Sequence, residues 1–248
     1  MNFKDRGIIL SKSPLKEKNS IVTIFTENHG IYSGVLRQYN KKSGDNLAEG
    51  NLVDFFWNAR LHEHLGYAKA ELIKSYNAYL MIDKIKLYAF NSIVSILKAA
   101  FCEREPHNNL FPKLIEFMDN LKGKFVFNEY IKFELEILKE SGYQLRLDSC
   151  AATGSNENLI YVSPKSGHAV SQNAGMPYAD KLLALPEFLI NESSLDVASI
   201  NNAFKLTSYF FERYILIDKP NPPPRVSFIE LILNTHPESE NLENYCAK

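Results

Sequence analysis

The sequence predicts an α+β protein: an N-terminal five-stranded barrel of the OB type, then a helical domain with an inserted zinc-ribbon-like hairpin. Three observations carry this. Residues 5–75 hold five short runs rich in β-branched and aromatic residues. From about Tyr79 the apolar period changes from two to about 3.6. Within the helical part, a turn–hairpin–turn keeps C-x-x-C ligand spacings while lacking most of the sulfurs.

The barrel runs are Gly7-Ile-Ile-Leu10, Ser20 to Phe25, Ile31 to Leu36, Leu52 to Trp57, and a fifth between Tyr67 and Tyr76. Asn28-His29-Gly30 and Asn40 to Gly44 are turn signals between them. Five short strands in so few residues suit a small closed barrel. Phe55, Phe56 and Trp57 admit two readings, core packing or an exposed ring that stacks a nucleobase.

In the helical part, Ile85, Tyr88, Ile93, Leu97 and Phe101 line helical faces. Helices are expected over Leu110 to Leu121, Glu129 to Ser141, Tyr178 to Leu185, Ser199 to Ile217 and Arg225 to Leu233. Pro220-Asn-Pro-Pro-Pro224 reads as a rigid extended linker, and the acidic stretch after Thr235 as a frayed tail. The expected division is 1–78 for the barrel, 79–235 for the helical domain with its insert at 148–178, and 236–248 for the tail.

In the insert, Cys150-Ala-Ala-Thr-Gly154 is a turn, Leu159 to Val162 and Ala169 to Ser171 are short strands, and Ser163 to Gly167 joins them. A ribbon holds zinc with two cysteine pairs. Here the four positions are Cys150, Thr153, Ser171 and Ala174. One thiolate does not complete a tetrahedral site, so no metal and no other cofactor is expected.

The chain has 248 residues, 45% of them hydrophobic, enough for a sizeable core, and its net charge of −1 assigns no partner. Residues 1–44, however, carry eight basic residues against three acidic ones. That is either a solvated basic face or a module that meets a polyanion. Three scattered cysteines make no disulfide framework. The first residues lack the apolar stretch of a signal peptide and no run reaches the ~18 apolar residues of a membrane helix. A cytoplasmic protein without membrane association is expected.

Catalytic motifs are weak. Ser13 to Lys16 and Ser95 to Lys98 match S-x-x-K without the companion elements of that enzyme class. His62-Glu-His64 lacks the spacing that puts two imidazoles on one helical face. Gly-rich nucleotide cradles are missing.

With these parts in order, the chain resembles the RecO family of bacterial recombination mediators. The likeness rests on Gly7 to Leu10 with Ile21 to Gly30, on Leu61-His-Glu-His-Leu-Gly66 and Glu103-Arg-Glu-Pro-His107, on Phe133 to Tyr143, and on Cys150 to Gly154, Tyr161 to Gly167 and Ala174 to Tyr178. The second pair of segments resembles its alphaproteobacterial branch. Many family members have four zinc cysteines; this chain departs at Thr153, Ser171 and Ala174. The resemblance implies a non-enzymatic DNA repair protein of the RecF pathway. Such proteins bind single- and double-stranded DNA, anneal complementary strands, engage the acidic C-terminal tail of single-stranded-DNA-binding protein and, with RecR and in part RecF, help load RecA. Backbone contacts are then expected from Lys12, Lys16, Lys18, Arg37, Lys41, Lys42 and Arg60, and a cationic rim for the tail pocket from Arg104, Lys132 or Arg213. The rival readings are an adapter that binds proteins only, an RNA-binding barrel, and a hydrolase using an S-x-x-K pair.

Overall fold

The computed structural model describes residues 1–15, 19–37, 47–61, 64–191, 195–217 and 219–235. Five strands close into a barrel: β1 (Asn2–Leu15), β2 (Asn19–Thr26), β3 (Gly30–Arg37), β4 (Leu52–Asn58) and β5 (Tyr67–Lys74), in the order β1-β2-β3-β5-β4. All neighbours are antiparallel except β3 and β5, whose short parallel pairing sets Val35 opposite Tyr67. The first strand is longer than the apolar run Gly7 to Leu10. Its flanks, Asn2 to Arg6 and Ser11 to Leu15, are mostly polar and charged, and a register shift between Ile9 and Ser11 accompanies its pairing with both β2 and β4.

Alternation fills the barrel. Ile9, Val22, Ile24, Tyr32, Leu36, Val53, Phe55, Trp57 and Ala68 form one buried cluster. Phe55 and Trp57 are therefore core, and Phe56 between them points outward, 36% exposed.

Two compact units are present. The first comprises Met1–Phe90 and Phe101–Phe125, the second Asn91–Ala100 and Val126–Lys248. In the first, the segment after Phe101 is tied to the barrel: Glu103 bridges Ile31, and the Arg104 amide donates to the Ile31 carbonyl at 2.8 Å. Its helix α3 (Leu110–Asn120) follows α1 (Asn77–Met81) and α2 (Lys84–Ala100).

In the second unit, α4 (Phe127–Glu140) and α6 (Val197–Phe211) pack through Phe127, Tyr130 and Phe204, joined by Phe228 of α7 (Pro223–Thr235). The helix α5 (Gln172–Gly175) is one turn at the end of the ribbon hairpin. A fully buried ion pair ties the three longer helices together. The Arg225 guanidinium donates to both Glu134 oxygens (2.8 and 3.1 Å), to Thr207 and Ser208 on α6, and to Asn221. Tyr130 donates to the same carboxylate at 2.7 Å.

Two expectations are corrected. The stretch from Tyr178 to Leu185 is not a helix: a 3-10 turn (Met176–Lys181) ends there, and β8 (Leu183–Ala184) joins β6 (Leu159–Val162) and β7 (Ala169–Ser171) in a three-stranded sheet. Pro186 disfavours helical backbone at Leu185, so the chain extends. The proline linker is shorter than expected, because Pro223 and Pro224 form the first turn of α7, where no backbone N–H is needed. The long helix from Val197 ends in a π-helical turn, Glu212–Leu216. The polar tail after Thr235 lies outside the described residues.

Candidate nucleic-acid interface

The barrel's outer face is organised by the buried Trp57. Its indole N–H lies 3.1 Å from both the Ser33 and Leu65 carbonyls, which clips the β4–β5 connection onto the barrel. Gly66 lies against the indole with φ +72°; a Cβ there would stand 2.5 Å from ring atoms. Only glycine fits both the backbone conformation and the space. The Gly66 carbonyl also accepts from the Val35 amide at 2.9 Å, so Tyr67 starts β5 at a fixed place beside β3.

Pairing then sets rows of side chains across β1, β4 and β5. One row is Lys4, Phe56, Lys69; the next is Asn2, Asn58, Tyr67; the opposite neighbour is Arg6, Asp54, Glu71. Tyr67 is 55% exposed, and the Arg37 guanidinium stands 4.5 Å from its ring centre. Val35, Arg37, Phe56, Tyr67, Lys69 and Glu71 are among the residues around an open groove of about 670 Å³. Lys4 pairs with Asp54 at 3.0 Å, and Arg6 is held by both Glu27 oxygens.

Comparison with known proteins gives the same assignment over both halves. Residues 1–76 match the family described as recombination protein O N terminal, and residues 82–222 match recombination protein O C terminal. A DNA repair protein RecO from Rickettsia felis is 52% identical over 235 residues, covering 94% of this chain and 99% of that protein. RecO proteins from Rickettsia conorii and Rickettsia bellii are each 50% identical over 94% of this chain, covering 99% and 97% of their own lengths. This chain belongs to the RecO family.

Of the backbone contacts expected in this RecO-family chain, Arg37 is exposed on the groove. Lys12 is half-buried on β1, its amide donating to Glu49 at 2.9 Å. Arg60 is exposed just beyond β4. Lys16, Lys18, Lys41 and Lys42 lie outside the described residues, as does His62. Lys4, Lys69 and Tyr67 share this outward face but were not among the contacts expected from sequence; the alternation that buries Phe55 and Trp57 is the signal that turns Phe56 and its neighbours outward.

The candidate rims scatter. Arg104 belongs to the first unit, 5.6 Å from the Tyr32 ring and donating to the His64 carbonyl. Lys132 pairs with Glu129 at 2.9 Å, and Arg213 reaches the Tyr209 hydroxyl at 3.2 Å. An open groove of about 1200 Å³ in the second unit includes Leu145, Arg146, Ile160, Ile190, Lys139 and Glu136 in its lining. The Ser95 hydroxyl donates to the Ser92 carbonyl at 2.6 Å, a bond within its own helix.

The ribbon keeps its shape through its backbone. The Cys150 amide donates to Ser155, Gly154 donates back to Cys150, and Ala151 donates to Ala169. The four ligand positions do not fit zinc. Cys150 is buried, and its sulfur accepts from the Ser171 amide at 3.2 Å. Thr153 caps Ser155, and Ala174 offers no donor atom. Burial pushes the Cys150 thiol up, but bonds from Ser171, Thr153 and the Ala152 amide outweigh it and bring it to about 6. Among the described residues no group of three His, Cys, Asp or Glu side chains is placed to hold a metal, and no helix is long and apolar enough to cross a membrane.

Proposed function

We propose that this chain is a non-enzymatic recombination mediator in DNA repair, acting in the cytoplasm within the RecF pathway. Its barrel, residues 1–78, binds single- and double-stranded DNA. It anneals complementary strands and, with RecR and in part RecF, helps load RecA onto DNA coated by single-stranded-DNA-binding protein. The observation that carries this reading is family membership at about half identity over 94% of the chain. The basic N-terminal segment, with Arg37 exposed at an open groove of the barrel, supports it.

The mechanism is electrostatic. Lysine and arginine on the barrel neutralise phosphates and release counterions, a contribution blind to sequence. Repair needs that blindness, because gaps open anywhere. Screening two polyanions on one protein lowers their repulsion while base edges stay free to pair. The acidic tail of the single-strand binder needs a cation beside an apolar wall.

Annealing of two labelled complementary oligonucleotides, followed with and without the protein, tests the reading. It predicts faster annealing at low salt, persisting when the strands are coated by single-stranded-DNA-binding protein. An unchanged rate on bare strands contradicts it.

A further inference from the structure

Phosphate contact leaves unexplained why the barrel's outer face presents two aromatic rings among cations. Phe56 sits in register between Lys4 and Lys69, one on each neighbouring strand. Tyr67 occupies the adjacent row, more than half exposed, with Arg37 over its ring. Both rings border the same open groove. We propose that unpaired nucleotides lie along these two rows, bases stacked on Phe56 and Tyr67 and phosphates met by Lys4, Lys69 and Arg37, so that this face selects single-stranded over duplex DNA. The proposal rests on the reading that the barrel binds DNA.

Three physical arguments support it. Every base has a π-face, so stacking on an aromatic ring is tolerant of sequence, as a repair protein requires. In a duplex those faces are covered by neighbouring bases, so the rings gain nothing there. Spacing points the same way. Phe56 on β4 and Tyr67 on β5 are diagonal neighbours, and such positions stand about 7–8 Å apart. Stacked bases in a duplex step by only about 3.4 Å. Two successive bases on the two rings are therefore pulled off one another, a state open to a single strand.

Charge gives the strip an edge. The third row places Asp54 and Glu71 side by side, with Arg6 engaged by Glu27. These carboxylates repel a phosphate backbone and confine it to the rows of Phe56 and Tyr67, where Lys4 and Lys69 flank Phe56 and Arg37 reaches over Tyr67 from β3. The Lys4–Asp54 pair is solvent-exposed, with 67% and 39% of the side chains accessible, so a phosphate competes for Lys4 at little cost.

The test uses the full chain and the variants F56A, Y67A, F56A/Y67A and F56W, with circular dichroism to confirm that each folds. Binding is measured to a single-stranded oligonucleotide, to a duplex of equal length and to a single strand of abasic sites. Single-strand affinity is expected to fall about tenfold for each ring removed, with duplex affinity and the salt slope unchanged and F56W close to wild type. The abasic strand should bind the wild type about as weakly as the ordinary strand binds F56A/Y67A, and the double variant should lose nothing further on it. Equal losses on single strand and duplex, or no loss on either in folded protein, overturn the proposal. If the wild type binds neither DNA at low salt, the parent reading fails instead.

Discussion

Arg225 and Glu134, ninety-one residues apart, form a bidentate ion pair with both side chains fully buried. Burial alone lowers the pKa of Arg225, but the facing carboxylate outweighs it and the net shift is upward, so the guanidinium keeps its charge. Its surroundings complete it: Thr207, Ser208, Asn221 and Tyr130 take up the remaining donors and lone pairs. Removing one partner strands a charge in the core. Arg225→Ala and Glu134→Ala should each cost about 3–5 kcal/mol. The double replacement Glu134→Leu with Arg225→Met should cost less than either, read as urea midpoints.

In the first unit Asp119 takes the Lys74 ammonium at 2.6 Å, the Lys122 ammonium at 2.5 Å and the Tyr76 hydroxyl at 2.8 Å. Burial pushes its carboxyl up, but these three donors win and hold it at about 2. Its folded pKa thus lies below the unfolded value of about 3.9. The stabilisation is present above pH ~4 and is lost as pH falls toward ~2. Asp119→Asn should remove that part of the acid sensitivity. Thermal midpoints of variant and wild type should converge between pH 4 and 2, with the variant lower at pH 7.

Gly66→Ala should strain the backbone and collide with the indole of Trp57, costing about 1–3 kcal/mol or more. Trp57 is the chain's single tryptophan, so its fluorescence reports the site without labels. A red-shifted emission and a lower midpoint are expected. Because Tyr67 follows directly, single-strand affinity should fall with them.

The barrel and the ribbon were legible in the sequence because their signals are local. Alternation marks a strand, and C-x-x-C spacing survives the loss of its sulfurs. Tyr178 to Leu185 misled because its helix-like composition is overridden by sheet pairing with Tyr161 and Val162. The Glu134–Arg225 pair was invisible, since nothing in sequence joins positions on α4 and α7. Tyr67 was read only as the start of a strand. Its place over the groove depends on Gly66 and Trp57, a tertiary constraint.

The ribbon should be indifferent to zinc. Its turns are closed by backbone hydrogen bonds and it offers a single sulfur. Added zinc or a chelator should leave the melting temperature unchanged. A rise with equimolar zinc would mean that ligands other than the four ribbon positions assemble a site.

The central claim is that the barrel holds single strands through phosphate contacts. Affinity for a labelled oligonucleotide across a salt series tests it most directly. If about four cations contact phosphates, log affinity should fall against log salt with a slope of about −3. Replacing Arg37, Lys41 and Lys42 together by Ala should flatten that slope. A slope near zero would contradict the claim, and a slope that the triple replacement leaves unchanged would remove Arg37, Lys41 and Lys42 from the contacts.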